Sequence, residues 1–164
     1  MRASGTEHCF APPANKSIFG LYPKARIVGK LHGHDLILFN ATSSGGGSGT
    51  LTYFALLDRQ SFDFVNLLPT VQLTNQSEYK MWSLPEISKT PVVVTADFVL
   101  DFKAGETHFS RHRYEVNRYV FEPNLGRYVG RVSYVTRDKY PGLDELDAVR
   151  VLDTERATLL SRLK

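Results

Sequence analysis

A chain of 164 residues, 42% hydrophobic and 23% charged, has the make-up of one globular domain with one core. A formal charge of +3 is too small by itself to mark a nucleic-acid binder, and no run of about eighteen apolar residues is present to cross a membrane as a helix. Cys9 is the single cysteine, which excludes an intrachain disulfide and a thiolate metal cage.

Met1–Thr6 (M-R-A-S-G-T) reads as a cloning remnant. No apolar signal-peptide stretch follows, so the chain is expected to begin after any targeting segment. Arg26–Leu31 and Leu36–Ala41 flank H-G-H-D and read as a β-hairpin with Gly33 in its turn. The tract from Thr42 to Thr50 contains only Thr, Ser and Gly; it reads as a flexible, engineered linker joining 7–41 to 51–164 within one domain. Leu51–Leu57 is the next strand, followed by a Phe62/Phe64 alternation and by Val71–Thr74, with Pro69 interrupting the pairing. Asn75–Lys89, with Trp82 and Pro85, reads as an irregular crossing loop.

Val92, Val94, Ala96, Phe98, Leu100 and Phe102 recur with period two, which predicts a strand with one buried face and with Thr95, Asp97 and Asp101 on the solvent side. Lys103–Glu106 is a turn. Phe109–Glu122 alternates less cleanly, as a bulge near Asn117 would produce. Pro123-Asn-Leu-Gly126 is a turn. Arg127–Arg137 returns, with Tyr128, Val132 and Tyr134 expected on the core face and Arg127, Arg131 and Arg137 on the other. Asp144–Leu152 is compatible with a helix or an edge strand. A last helix is expected with Thr154 as its N-cap and Leu159, Leu160 and Leu163 on its apolar stripe. The fold class is therefore mainly β: an antiparallel β-sandwich or half-open barrel with a C-terminal helix.

The chemistry-bearing residues point away from catalysis. Metal hydrolases of the metallo-β-lactamase type use His-x-His-x-Asp-His, but here Asp35 follows His34 directly and the closing histidine is missing. His108 and His112 are four apart, a spacing that converges on a helix and not in strand surroundings. There is no G-x-S-x-G elbow, and G-G-G-S-G precedes a strand where a phosphate loop needs a helix. No cofactor and no metal are expected.

What remains is cationic. Between Arg111 and Lys139, seven basic residues (Arg111, Arg113, Arg118, Arg127, Arg131, Arg137, Lys139) outnumber three acids, with Tyr114, Tyr119, Tyr128 and Tyr134 interleaved. Arginine with tyrosine is what protein interfaces favour. The expected partner-binding set is Arg111, Arg113, Arg118, Tyr119, Arg127, Arg131 and Arg137, facing an acidic protein surface. The expected function is a non-enzymatic binding or assembly domain of a membrane-associated or exported complex. The alternatives are a lipid-like ligand carrier, a single-stranded nucleic-acid binder through the Arg/Tyr face, and a metal hydrolase using the H-G-H-D turn. Sequons at Asn15, Asn40 and Asn75 favour an extracytoplasmic location. Tyr134-Val-Thr-Arg-Asp-Lys-Tyr140 resembles, over seven residues, the eight-residue Y-V-x-x-R-E-x-Y helix of periplasmic type IV secretion components; one residue is missing between Val135 and Arg137, Asp138 stands in place of the glutamate, and the segment follows the strands instead of preceding them.

Overall fold

The computed structural model describes residues 21–43, 51–60, 63–68, 71–74, 77–101, 103–107, 109–141 and 150–162. Its chain forms two antiparallel sheets and one helix. The first sheet holds β1 (Leu21–Leu31), β2 (His34–Ser43), β3 (Leu51–Gln60) and β4 (Asp63–Asn66) in that order, with β5 (Val71–Thr74) also pairing β3. The second is β6 (Glu78–Trp82), β7 (Val92–Phe98), β8 (Tyr114–Glu122) and β9 (Arg127–Val135), again in chain order, followed by α1 (Val151–Ser161). Consecutive antiparallel pairing needs only short connections, which suits a sequence punctuated every ten residues or so by turn chemistry.

The H-G-H-D turn is tighter than its sequence suggests. His32 and Gly33 both have positive φ, 51° and 88°, so two residues close the hairpin in the sense that matches strand twist. His34 and Asp35 already belong to β2, paired with Leu31 and Lys30. At the far end of β2, Thr42 and Ser43 continue the strand, and the hydroxyls of Thr42 and Thr52 lie 3.1 Å apart. The Gly/Ser tract therefore gives its first two residues to the sheet and joins two directly paired strands; residues 44–50 lie outside the described part, as do 1–20. Asn40 donates its side-chain amide to the Tyr79 hydroxyl at 2.8 Å and is half-buried, so this sequon holds the two sheets together. Asn15 and Asn75 lie outside the described residues.

Two expectations fail for one reason, which is that the second sheet is covered on both faces. Its odd-numbered side chains (Tyr79, Met81, Val93, Tyr119, Phe121) meet Leu31, Leu36, Leu38, Phe54 and Leu56 of the first sheet. Its even-numbered ones (Trp82, Val92, Val94, Ala96, Phe98, Tyr114, Val116) meet Val151, Leu152 and Leu159 of α1. The segment read as a crossing loop contains β6, whose half-buried residues show no one-sided pattern. In β7 the residues Val92 to Ala96 are all buried, Thr95 included, and no solvent face exists. The strand ends at Phe98, so Leu100, expected in the core, is 65% exposed. Asp97 is half-buried and bonded by the Ser77 hydroxyl; Phe102 lies outside the described residues.

The bulge is present, and its consequence is larger than expected. Arg118 pairs with Val132 and Tyr119 with Gly130, so Arg131 is the extra residue, on β9 opposite the place proposed in β8. An inserted residue reverses the side-chain phase. Tyr128 therefore packs between the sheets, while Tyr134 joins the α1 side; the two do not share a face. The turn that follows β8 is a single 3₁₀ turn, Pro123–Leu125, ended by Gly126 in the left-handed region (φ 61°).

The helix begins earlier than its sequence suggested, with Arg150 as N-cap; Thr154 lies inside it and bonds back to the Arg150 carbonyl. It is anchored by its backbone as well as its stripe, since the Leu152 N–H donates to the Glu78 carboxylate at 2.9 Å. Tyr134 and Val135 end β9 and residues 136–140 are not helical, so the seven-residue resemblance carries no shared local structure. Tyr140 instead forms a backbone bridge with His112.

Candidate partner-binding surface

The seven residues expected to bind a partner fall into separate groups. Arg111, Arg113 and Arg137 gather at one end of the second sheet, where β7 leaves and β8 begins. Arg127 stands at the opposite end, eight residues along β9 from Val135, or about 26 Å in an extended strand. Arg118 and Tyr119 do not belong to the surface: Arg118 is 7% exposed, and half-buried Tyr119 packs on the inter-sheet core. Burial and the nearby Glu115 push the Tyr119 hydroxyl pKa up.

At the first end the basic residues are held in place. Arg113 pairs with Asp101 at 2.5 Å, and this contact holds the Asp101 carboxyl below its usual range. Arg111 donates through Nε and Nη2 to the Lys139 carbonyl at 3.1 and 2.8 Å. Lys139 reaches Glu106 at 2.7 Å, which lowers the pKa of that carboxyl too. Beneath them His112 is fully buried, its Nε2 2.8 Å from the Thr107 carbonyl and its ring against Phe98. In the segments that join β7 to β8 at this end, two large apolar side chains are exposed, Leu100 at 65% and Phe109 at 71%. Neither was singled out from sequence: Leu100 continued an apolar period, and Phe109 read as the start of a strand. At the second end Arg131 pairs with Glu122, while Arg127 has no ion pair among the described residues.

The H-G-H-D residues disperse. The His32 ring sits edge-on against Phe121, His34 Nδ1 lies 3.4 Å from the buried Asp58, and Asp35 faces Lys30 and Arg59. Among the described residues no group of three or more His, Cys, Asp or Glu is placed to hold a metal; His108 lies outside them. Among the described residues the apolar side chains of β7 and β8 pack against the first sheet on one face and against α1 residues on the other. Among the described residues there are open grooves of about 380 Å³ between β1 and β6 and of about 300 Å³ beside Leu67, Leu68, Arg127 and Tyr128. No helix among the described residues is long and apolar enough to cross a membrane.

No protein-family model matches this chain, and neither a curated protein nor a solved structure is significantly similar to it.

Proposed function

We propose that this is a non-enzymatic protein-binding domain, and that an acidic partner docks at the end of the second sheet formed by Leu100, Phe109, Arg111, Arg113 and Arg137. The observation that carries the reading is the conjunction there of two exposed large hydrophobic side chains with three exposed arginines. Apolar anchors ringed by arginine supply desolvation and charge complementarity together, which scattered surface charges do not. The full set expected from sequence narrows in this reading: Arg127 and Arg131 are peripheral, and buried Arg118 and half-buried Tyr119 drop out of the surface. A place in a membrane-associated or exported assembly, on the extracytoplasmic side, belongs to the same proposal. It now rests on the Asn15 and Asn75 sequons.

The test is selection from a displayed library of acidic peptides, followed by titration of the selected peptide with variants. Phe109→Ala and Arg137→Glu should each weaken binding at least about tenfold, as anchor truncation and charge reversal at an interface do. Both should unfold within about 1 kcal/mol of the parent, because exposed charges and exposed apolar groups contribute little to stability. Unchanged affinity in both variants moves the interface elsewhere. Peptide selection that yields only basic or neutral sequences removes the acidic partner.

A further inference from the structure

The two sheets are out of step at one side of the molecule. Tyr79 of β6 is bonded by the Asn40 amide of β2 at 2.8 Å and stacks on Phe54 of β3, so β6 stands opposite those two strands. β1 lies one strand further out, about 4.8 Å beyond β2. Its Leu31 end reaches the core, while Pro23–Ile27 are exposed without interruption. The step leaves an open groove of about 380 Å³, with Arg26, Ile27 and Val28 on one wall and β6 on the other. Ile27 is 64% exposed, and Met81 and Trp82 of β6 are half-buried. Among the described residues β6 pairs only with β7, so the groove runs along its other edge.

We infer that an extended, acidic segment of a partner protein docks in this groove as a fifth strand of the second sheet, beside β6. Strand addition needs an edge with reachable N–H and C=O groups, and sheets blunt the edges they do not use with proline, charge or a bulge. β1 carries all three: Pro23, the charges of Lys24 and Arg26, and a register shift between Ile27 and Gly29. β6 has neither proline nor bulge, and its one lysine is taken up by Asp153 of α1 at 2.5 Å. Charge selects the occupant. β1 contains no acidic residue, and Lys24 and Arg26, both exposed, share one strand face. The nearest acid of β6, Glu78, is engaged by Lys80 and by the Leu152 N–H. Carboxylates on an incoming strand meet the arginine of the groove wall, and its apolar side chains meet Ile27, Val28 and Met81. The groove shares no residue with the surface around Phe109, and the inference does not rest on that surface.

The probe is an acetylated and amidated peptide of about seven residues alternating glutamate with valine, long enough to span β6. A lysine–valine peptide of the same length is its control. Binding is read from the fluorescence of Trp82, the single tryptophan, which lines the groove. The glutamate peptide should saturate below about 1 mM, and the lysine peptide should bind at least about tenfold more weakly. Arg26→Glu, at an exposed position, should weaken the glutamate peptide at least about fivefold. Amide exchange followed by NMR should slow at alternate residues of Glu78–Trp82 when the peptide is bound, because a new strand takes up the outward N–H groups of β6. No saturation with the glutamate peptide, or equal affinity for the two peptides, overturns the acidic occupant. Binding that leaves β6 exchange unchanged overturns strand addition. Sedimentation of the free protein as a dimer, with the same β6 amides already protected, gives the edge to a second copy of the chain and overturns the peptide.

Discussion

Replacing Tyr134 and Tyr140 together by phenylalanine should destabilise the fold by about 3–5 kcal/mol, the range for stripping partners from a buried charge. Glu155 comes from the inner face of α1 and is 7% exposed. Its Oε2 accepts the Tyr134 hydroxyl at 2.9 Å and its Oε1 accepts the Tyr140 hydroxyl at 2.6 Å. These two bonds join the helix to β9 and to the segment after it, which the apolar stripe alone would not position. Burial and then the Glu155 hydrogen bond push both tyrosine pKa values up. Urea unfolding followed by Trp82 fluorescence measures the loss, since Trp82 lies in the same core with Arg156 over its ring. Adding Glu155→Leu to the double variant should recover most of the stability, because the enclosed charge goes with its partners. A double variant within about 1 kcal/mol of the parent would mean that water replaces the tyrosines and that the carboxylate is not enclosed.

The second large effect is alkaline unfolding. Burial raises the hydroxyls of Tyr114 and Tyr128 to about 12, and those of Tyr119, Tyr134 and Tyr140 also rise. A tyrosine raised in the folded state keeps its proton while the unfolded chain loses it near pH 10, so the unfolded state binds fewer protons and stability falls as pH rises. The contribution is complete below about pH 10 and is lost between about 10 and 12. Two pKa units correspond to about 3 kcal/mol for each of Tyr114 and Tyr128, both 1% exposed or less. Together, about 6 kcal/mol, they match the stability of a domain at the low end of the ordinary range. Unfolding midpoints from pH 8 to pH 12, with tyrosinate absorbance recorded in parallel, give the slope. Tyr114→Phe is the diagnostic variant. The Tyr114 hydroxyl is buried without a hydrogen bond among the described residues, so its removal should raise stability at pH 7 by about 1 kcal/mol and flatten the alkaline slope. Variant and parent with identical slopes would show that this hydroxyl reaches water in the folded state.

Both predictions concern side chains whose surroundings come from the layering of the fold, and that is where the limit of the sequence falls. Local chemistry by itself determined the antiparallel β class, the β1–β2 hairpin, the Pro123–Gly126 turn, the presence of a bulge between β8 and β9, and a C-terminal helix. Each is written over a few consecutive residues, in turn types and in period two. Tertiary structure alone decided which faces are buried. Alternation marks a strand only when one face meets water, so β6 was hidden and the Thr95 side of β7 was misassigned once α1 and the first sheet covered both faces. The candidate site depended on the same layering. A one-residue bulge at Arg131 reversed the phase of β9 and broke the expected arginine row, and the end of β7 at Phe98 left Leu100 in solvent. Arg118, expected on the surface, is enclosed in the fold, because the burial of a guanidinium is set by what packs over it and not by its neighbours in the chain.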